Sequence, residues 1–536
     1  MVHALVTGPA IGETISVEKK KEMSAHNIKP FQKALATKVL LRTLGPLLIG
    51  VKGELPTHIK GIALDSRAVK KGFLFIAMKG EHTSGERFIE QALKKGATCI
   101  MVEKDGDKAR QAPSVVVVED IRKSAGIAAS TFYGEPTAQV PVVAVTGTNG
   151  KTTFTYLMET ILREAGLSPG VIGTVSYRLG EREWPSSLTT PDPVTLQKTM
   201  REMVTGGADI ILIEASSHAL AQKRLWGSRI KCAVFTNMTR DHLDYHKTMD
   251  NYFLAKQSLF LDYGPEISAF NIDDPYGHIL YLRAKGKKIT YSLEHEATIN
   301  PTELLVDLNG IDMVLDLYGK SINISSRLLG RFNVYNILAA ISASLCLGIP
   351  SSAIQKGIYE CQYIPGRMER ICEESPVIAF VDYAHTPDAV ERVIREVKGF
   401  APGRVITVIG CGGERDAGKR PLMGYIPTRL SDLTIFTSDN PRSEDPLKII
   451  GDMLEGLRQE DVSIQLPRLS ILPQRPYKVI VDREEAIRSA INEAHPGDTV
   501  LVLGKGHETY QLIGGKKRYF DDRKIVKDSL KERGLC

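Results

Sequence analysis

The chain of 536 residues has only seven cysteines, and no two of them are spaced as a CxxC pair. This scarcity indicates neither a disulfide framework nor a structural zinc site, and it fits a reducing compartment. No apolar run approaches the roughly 18 residues that a membrane helix needs. Residues 1–22 also lack the positively charged start and apolar block of a signal peptide. We therefore expect a cytoplasmic protein without a membrane span.

A strong excess of either charge is also missing. The 69 basic residues barely outnumber the 63 acidic ones, which gives a formal net charge of +6. The short basic runs contain no interleaved aromatic residues, so they are typical of solvated faces and do not indicate nucleic-acid binding. We expect small-molecule substrates, weakly favour anionic ones, and expect a monomer.

The length predicts about three domains, because one hydrophobic core does not grow to this size. Apolar runs at 141–145, 209–213, 231–236 and 267–271 alternate with helical patterns, as in a parallel sheet covered on both faces. A similar α/β alternation precedes residue 134 and another follows the Pro-Gly pair at 365–366. We predict an extension at 1–36, to which we assign no role, and three α/β domains at 37–139, 140–365 and 366–536. The middle one is a P-loop parallel-sheet domain, and the last is Rossmann-like.

The strongest local signal is TGTNGKTT at residues 146–153, between a buried-type strand and a helix. Gly147 and Gly150 let backbone N–H groups approach phosphate oxygens, Lys151 supplies charge, and Thr152 is suited to bind magnesium. The GxxGKT spacing is two residues shorter than the common P-loop. The alternative is a glycine turn with a chance Lys-Thr pair.

Two further polar groups follow the next strands of the predicted sheet. Glu214 ends the strand after the loop, where a carboxylate faces the phosphates and can hold magnesium; a solvated strand-end glutamate is the alternative. His242 and His246 are four residues apart, which allows a zinc pair. A third ligand and the glutamate of HExxH are missing, so we favour a phosphate-side role for His242 and a structural one for His246.

The motifs TGTNGKTT, EASSH, NMTRDHLDYH and YFLAK resemble the central domain of the Mur ligases, which the folylpolyglutamate synthetases share. This resemblance implies that the loop binds ATP, that magnesium is bound near it, and that Lys256 is carbamylated, which turns a repelled ammonium into an anionic oxygen ligand. The implied ATP-binding residues are Gly147, Thr148, Asn149, Gly150, Lys151, Thr152, Thr153, Asn333 and Asn336. The implied magnesium ligands are Thr152, Glu214, His242 and carbamylated Lys256, and the implied catalytic residues are Lys151, Glu214, His242 and Lys256.

Blocks of the third domain extend the resemblance. VDYAHTPDA and GCGGERDAGKRP match family segments at strand ends and imply that Asp382, His385 and Lys419 lie beside ATP, while Asn271 and Asp273 resemble another nucleotide-side element. DNPR at 439–442 is similar to the motif of Mur ligases that add meso-diaminopimelate. The planar fork of an arginine binds a carboxylate bidentately, and diaminopimelate has a distal carboxylate that lysine lacks. The implied diaminopimelate-binding residues are Arg415, Asp439, Asn440, Pro441, Arg442, Gly504 and Glu508.

The first domain resembles the family through LDSR and GEHTSGERFI, segments that hold the UDP-sugar end of the substrate. Two positions depart from it: Ser84 stands where the family often has Asp, and Leu188 where some members have Asn. These departures concern the uridine and muramyl contacts. The residues implied to contact the UDP-muramyl dipeptide are Leu64, Ser66, Thr189, Thr190, Ser216, Gln222 and Arg224.

The resemblance implies an ATP-dependent ligase in peptidoglycan precursor synthesis. It would join meso-2,6-diaminopimelate to the D-glutamate of UDP-N-acetylmuramoyl-L-alanyl-D-glutamate through an acyl phosphate, with ATP and Mg²⁺. The alternatives are a ligase that adds lysine, a folate polyglutamate ligase, and an ATP-binding regulatory or scaffold protein without catalysis.

Overall fold

The computed structural model describes residues 34–536 except 81–82, 105–111, 185, 187, 318 and 459–465. The predicted extension at 1–36 lies almost wholly outside the described residues. Three larger sheets organise the rest, and each is built from strands of one predicted domain range. The prediction of a three-unit α/β fold is confirmed, whereas the domain boundaries stay predictions.

The first unit is a five-stranded sheet in the order β2-β7-β6-β5-β4, parallel except for β2. The β-branched run of β7 suits a strand, and Asp120 caps the helix that follows by accepting from two backbone N–H groups. Its strands are β1 Leu35–Ala36, β2 Leu48–Gly53, β3 His58–Ile59, β4 Gly61–Ala63, β5 Phe73–Ile76, β6 Ala97–Glu103 and β7 Ser114–Val118, and its helices are α1 Thr37–Leu44, α2 Ile89–Lys94 and α3 Ile121–Phe132.

The second unit is an eight-stranded sheet in the order β11-β10-β9-β12-β8-β13-β14-β15, parallel from β9 to β15. Its central strands are buried on both faces, with a separate apolar core on each. Its strands are β8 Val142–Thr146, β9 Pro169–Ile172, β10 Tyr177–Leu179, β11 Arg182–Trp184, β12 Ile210–Glu214, β13 Cys232–Phe235, β14 Ile267–Asn271, β15 Lys287–Tyr291, β16 Pro301–Asp307, β17 Gly310–Leu317 and β18 Lys320–Ser326. Its helices are α4 Lys151–Glu164, α5 Pro193–Thr205, α6 Ser217–Ala221, α7 Leu243–His246, α8 Met249–Leu261, α9 Pro275–Arg283, α10 Arg331–Cys346 and α11 Ser351–Glu360.

The third unit is a six-stranded sheet in the order β19-β20-β24-β21-β22-β23, with only β19 antiparallel. Its strands are β19 Glu369–Ile371, β20 Ile378–Asp382, β21 Val405–Ile409, β22 Leu433–Phe436, β23 Tyr477–Val479, β24 Thr499–Leu503, β25 Tyr510–Ile513 and β26 Lys516–Tyr519. Its helices are α12 Pro387–Phe400, α13 Arg420–Leu430, α14 Pro446–Glu455, α15 Pro467–Ser470, α16 Arg483–Glu493 and α17 Asp522–Glu532. None of the helices in the described ranges is both long and apolar enough to cross a membrane.

One expectation about the cysteines is wrong. The structure contains a disulfide between Cys372 and Cys536, whose Cα atoms are 5.6 Å apart. The two residues are separated by 164 positions, so no local spacing of cysteines in the sequence indicates that they pair. Helix α17 packs against β19 and β20, and this packing brings the end of the chain back to the residue that follows β19.

The three units contact one another differently. The first unit docks tightly on the second, because Gly126 of α3 lies against the backbone of Trp226, where a Cβ atom would come within 2.2 Å of the Trp226 carbonyl oxygen. Lys223 also pairs with Asp120 at 2.5 Å. The second and third units are joined by polar contacts, among them the Arg331 N–H that donates to Glu396 Oε2 at 3.0 Å and the 3.8 Å pair of Arg240 and Asp416.

Candidate active site

The glycine loop lies where strand β8 passes into helix α4. Gly150 has φ +89°, and a Cβ atom there would come within 2.2 Å of Asn336 Oδ1, so the position requires glycine. Lys151 curls back over the loop and donates to the carbonyl oxygens of Gly147 at 2.8 Å and Thr148 at 2.9 Å. An ammonium group, a helix N-terminus and a glycine turn therefore converge on the space above the loop, as phosphate binding requires.

The Glu214 carboxylate stands directly beside this loop. It is the last residue of β12, is almost fully buried, and accepts from the Thr152 hydroxyl at 3.1 Å. Thr174 donates to the same carboxylate through its hydroxyl at 2.8 Å and its backbone N–H at 3.2 Å. The three donors fix the carboxylate in one orientation. Thr174 was not predicted as a site residue, since nothing in its surroundings marks a motif.

Lys256 is a buried lysine on α8, with 1% of its surface exposed. Its Nζ lies 4.4 Å from the centre of the Tyr252 ring, and the Tyr252 hydroxyl is 3.0 Å from Thr148 Oγ1. Burial lowers the pKa of Lys256 well below its usual value, and the charge of Lys151 lowers it further, against opposing contributions from Asp241 and other carboxylates. A larger fraction of this amine is therefore unprotonated at neutral pH.

Asp241 joins the second and third units and was not among the predicted site residues. Its Oδ2 lies 3.2 Å from Nε2 of His242 and 3.9 Å from Nε2 of His385. Burial would raise the pKa of Asp241, but His242, His385 and Lys419 together hold it far below the usual range. The adjacent His242 has its pKa lowered to about 3, mainly by burial, and is therefore neutral and able to bind a metal through a ring nitrogen.

Arg367 is a third site residue that was not predicted, because it directly follows the Pro-Gly pair at 365–366, which indicated only a domain boundary. Its Nη2 donates to the Thr152 hydroxyl at 3.3 Å, and its guanidinium lies 4.5 Å from the centre of the Tyr383 ring. Arg367, directly after the Pro-Gly pair at 365–366, thus places a cation beside the phosphate-binding loop. The clue in the sequence was an arginine directly after a glycine that permits a sharp turn.

A cavity of about 630 Å³ connects these groups. Its lining combines residues of the second and third units, including most of those predicted to bind ATP and magnesium. The predicted residues that line it are Gly147, Thr148, Asn149, Gly150, Lys151, Thr152, Thr153, Thr189, Glu214, Ser216, His242, Lys256, Asn271, Asp273, Asn336, Asp382 and His385.

Asn333 lies behind this lining and supports it. Its side-chain amide donates to the Leu329 carbonyl oxygen at 2.8 Å, and its oxygen accepts from Asn336 at 2.9 Å. The lining residue Asp273 accepts from Tyr335 at 2.8 Å and lies 2.7 Å from a ring nitrogen of His295. The polar atoms of Asn333 are therefore paired behind the lining, whereas Asp273 lines the cavity and is held by Tyr335 and His295.

The residues predicted to contact the dipeptide form a hydrogen-bonded chain that begins at Glu214. Thr190 donates to the Glu214 carbonyl oxygen at 2.6 Å and lies 3.2 Å from the Ser216 hydroxyl. Arg224 donates to the Thr190 carbonyl oxygen at 2.7 Å and to Gln222 Oε1 at 2.8 Å. Four predicted residues are thus brought together at the edge of the cavity.

Leu64 and Ser66 of the first unit lie outside the cavity lining. Ser66 bonds to Gln91 within its own unit at 2.7 Å, whereas Leu64 packs on the core that also contacts Val194 of α5.

The residues predicted to bind diaminopimelate cluster in the third unit. Asn440 donates to Glu508 at 2.8 Å, and a Cβ atom on Gly504 would come within 2.6 Å of Asp439 Oδ2. Arg442 has φ +54°, and its Nη1 donates to the Gly413 carbonyl oxygen at 2.5 Å. In the described part of the chain, Nε and Nη2 of Arg442 have no hydrogen-bond partner. One edge of a fixed guanidinium is thus left for a ligand.

Pro441 and Arg415 lie close to this cluster. The Pro441 carbonyl oxygen is 2.1 Å from the position that a Cβ atom on Gly413 would take, so the two loops touch. Arg415 is exposed on the neighbouring loop, beside Gly412.

The zinc alternative finds no support in the geometry. Among the described residues, no three His, Cys, Asp or Glu side chains are grouped to hold a metal ion. His246 Nε2 instead lies 3.0 Å from the Ser217 hydroxyl, within a cluster of aromatic rings. Magnesium has a different requirement, since it retains water and phosphate oxygens and needs only one or two protein carboxylates. Thr152 provides a hydroxyl oxygen and Glu214 a carboxylate oxygen that suit magnesium.

The parallel sheet of the second unit ends in a phosphate-binding loop with a carboxylate beside it. The third unit contributes cations to the same cavity. Together these features define a nucleotide-dependent α/β enzyme of several domains. Comparison with protein-family models makes this class specific. Residues 58–133 match the Mur ligase family catalytic domain, residues 145–344 the Mur ligase middle domain, and residues 366–506 the Mur ligase glutamate ligase domain.

Individual relatives agree over almost the full length. The chain is 44% identical over 504 residues to the UDP-N-acetylmuramoyl-L-alanyl-D-glutamate--2,6-diaminopimelate ligase of Geobacter metallireducens, which covers 92% of this chain and 98% of that protein. A solved structure of a ligase with the same description has a TM-score of 0.65 at 33% identity, covering 92% and 99% of the two chains. MurF from Thermotoga maritima in complex with ADP shares the fold, with a TM-score of 0.56 at 18% identity and coverage of 88% and 98%.

The chain belongs to the Mur ligase family. The resemblance drawn from its motifs is therefore confirmed.

Proposed function

We propose that this enzyme uses ATP to join meso-2,6-diaminopimelate to the D-glutamate of UDP-N-acetylmuramoyl-L-alanyl-D-glutamate, a step in peptidoglycan precursor synthesis. The observation that carries the choice of amino acid is Arg442. Its Nη1 is fixed on the Gly413 carbonyl oxygen while its Nε and Nη2 edge has no partner among the described residues. That edge matches a carboxylate bidentately, and the distal carboxylate distinguishes diaminopimelate from lysine.

Activation of the acceptor carboxylate explains the cations around the phosphate loop. A free carboxylate is a poor electrophile, and transfer of the γ-phosphoryl group of ATP to it gives an acyl phosphate with a good leaving group. Lys151 and Arg367 contact the phosphate-binding loop, where they would meet the charge that develops on the transferring group. Electrostatic stabilisation of this kind is the main contribution to phosphoryl transfer. The amine of diaminopimelate then attacks the acyl carbon, and phosphate leaves.

Magnesium would be held by Thr152, Glu214, His242 and Lys256 as its carbamate, and it would neutralise phosphate charge. Support comes from the 3.1 Å contact between Thr152 and Glu214, from the neutral ring of His242, and from the lowered pKa of Lys256. Only an unprotonated amine reacts with carbon dioxide, so burial prepares Lys256 for carbamylation. In ¹³C-bicarbonate we expect one carbamate signal, which Lys256→Met should remove.

The UDP-muramyl dipeptide would lie along the edge formed by Thr189, Thr190, Ser216, Gln222 and Arg224 and reach Leu64 and Ser66 in the first unit. Support comes from the hydrogen-bonded chain that starts at Glu214, because it would place the D-glutamate carboxylate beside the phosphate loop. We further propose that the enzyme works in the cytoplasm as a monomer.

One assay tests the function as a whole. ADP release is measured with the UDP-muramyl dipeptide together with diaminopimelate, lysine or no amino acid, and we expect strong stimulation by diaminopimelate only. Hydroxylamine added in place of the amino acid should trap the acyl phosphate as a hydroxamate. Stimulation by lysine alone would favour a lysine-adding ligase, and activity on a folate would favour a polyglutamate ligase. No ADP release with any acceptor would favour a non-catalytic protein.

A further inference from the structure

Three separate segments of the third unit are tied into one pocket wall. The DNPR loop, residues 439–442, runs beside strand β25: the Arg442 N–H donates to the Leu512 carbonyl oxygen at 2.9 Å, and the Gly514 N–H donates to the Arg442 carbonyl oxygen at 2.6 Å. The Leu512 N–H donates to Asn440 Oδ1 at 2.9 Å. The position of the Arg442 backbone therefore depends on residues about 70 positions further along the chain.

Lys505 lies at the centre of this wall. Its side chain is fully buried, and its Nζ donates to Glu508 Oε2 at 2.9 Å and to Asn440 Oδ1 at 3.3 Å. Asn440 Nδ2 donates to the same Glu508 oxygen at 2.8 Å, which closes a triangle of three side chains. The Glu508 side chain keeps 16% of its surface exposed, so the triangle has one open side.

The charges in this triangle constrain one another. A fully buried ammonium is very costly unless an anion and hydrogen bonds compensate it, and for Lys505 the Glu508 carboxylate and the Asn440 oxygen provide this compensation. Because Lys505 and Asn440 both donate to Oε2, they fix the rotation of the carboxylate about its last bond. An oriented and partly exposed carboxylate is suited to accept an ammonium group from a ligand.

We infer that Lys505 is a positioning residue for the acceptor amino acid, acting through Glu508 and Asn440 rather than by touching the ligand. This inference rests on the proposed function, because it takes diaminopimelate as the ligand of this wall. Lys505 does not line the large cavity at the phosphate loop, so it should affect capture of the amino acid and not formation of the acyl phosphate.

The test compares Lys505→Met with the wild type in two assays on the full-length enzyme. We expect the KM for diaminopimelate to rise about tenfold or more, as for loss of a charged hydrogen bond. The KM for ATP and the rate of hydroxamate formation with hydroxylamine should stay unchanged. Lys516→Met, which removes an exposed lysine at the start of β26, is the matched control and should leave all values unchanged.

A double-variant comparison separates positioning from a purely structural role. Glu508→Gln and Lys505→Met/Glu508→Gln should have similar KM values for diaminopimelate, because without the carboxylate Lys505 keeps only its longer, 3.3 Å contact with Asn440. A further tenfold rise in the double variant would overturn the inference, as would equal loss of both partial reactions in Lys505→Met. If Lys505→Met does not fold, the double variant, which removes both charges, still permits this comparison.

Failure of the inference can be told apart from failure of the proposed function. A wild-type enzyme that is not stimulated by diaminopimelate contradicts the proposed function, whatever the variants do. A wild type that is stimulated, combined with an unchanged KM in Lys505→Met, contradicts only the role of Lys505.

Discussion

His246 is buried at the end of α7, with 5% of its surface exposed, and burial together with the charges of His218 and Lys256 lowers its pKa to about 4. Between that value and about 6.5 the unfolded chain binds a proton that the folded protein does not. The contribution of His246 to stability is therefore complete above pH 6.5 and falls by about 1.4 kcal/mol per pH unit as the pH decreases towards 4.

We expect His246→Asn to weaken this dependence. Denaturant midpoints measured from pH 7 to 5 should fall less steeply for the variant than for the wild type. A variant whose midpoint falls as steeply as that of the wild type would show that another group carries the effect.

Arg442 gives a second prediction at the residue scale. Lysine keeps the charge but lacks the planar fork, so Arg442→Lys should weaken use of diaminopimelate by about 1.5–3 kcal/mol, roughly tenfold to a hundredfold in kcat/KM. The ADP-release assay with varied diaminopimelate measures this. An equal loss of hydroxamate formation, which needs no amino acid, would instead indicate a structural role.

The site residues differ in how far the sequence predicted them. Lys151, Glu214 and His242 lie in recognisable motifs next to strand ends, and the shared edge of a parallel sheet brings them together. Asp241 and Arg367 were missed because their importance comes from contacts between two units. Arg367 contacts Thr152, which is 215 positions away. Motif spacing contains no information about such a contact.

Close helix packing in the second unit leads to a prediction at the element scale. Gly357 of α11 faces α4, where a Cβ atom would come within 2.3 Å of the Ile161 Cα atom. Gly357→Ala should force the two helices apart and cost about 1–3 kcal/mol. The matched control is Gly451→Ala in α14, because a Cβ atom at Gly451 has no neighbouring atom within 4 Å. This substitution should stabilise the folded protein by about 0.5–1 kcal/mol. Thermal unfolding of both variants checks the two signs.

The strands of the parallel sheets were predicted better than the antiparallel strands and hairpins attached to those sheets. The continuous apolar runs gave β14 at the observed residues and β8, β12 and β13 within one residue. Strands β10 and β11, the sheet of β16, β17 and β18, and the hairpin of β25 and β26 were not predicted. β26 has four exposed residues and therefore lacks the apolar run that marks a buried strand, whereas β10 is buried but only three residues long.

At the scale of the whole molecule, the disulfide closes a loop of 164 residues around the third unit. In the chain-entropy model such a cross-link stabilises by about 5 kcal/mol by restricting the unfolded chain. Oxidised wild type should therefore unfold at a higher temperature than Cys536→Ser. With a reductant present the two should coincide, and a difference that persists there would mean that the serine itself perturbs the fold.

The arrangement of the three units could be predicted only in outline. Length and the repeated α/β alternation indicated their number. Gly126 lies against Trp226, and Arg240 lies near Asp416. Nothing in the sequence distinguishes these contact residues from other residues of the same types. The way in which these surfaces meet emerges only from the packed structure.

The position of Arg367 has a consequence for wasteful turnover. This arginine belongs to the segment that joins the second and third units, so separation of those units withdraws a cation from the phosphate loop. An opened enzyme would then hold ATP without one of the charges that promote its cleavage. Futile hydrolysis would be restrained by the architecture of the linker itself, and ATP would be consumed mainly when the unit that carries the acceptor amine is in place.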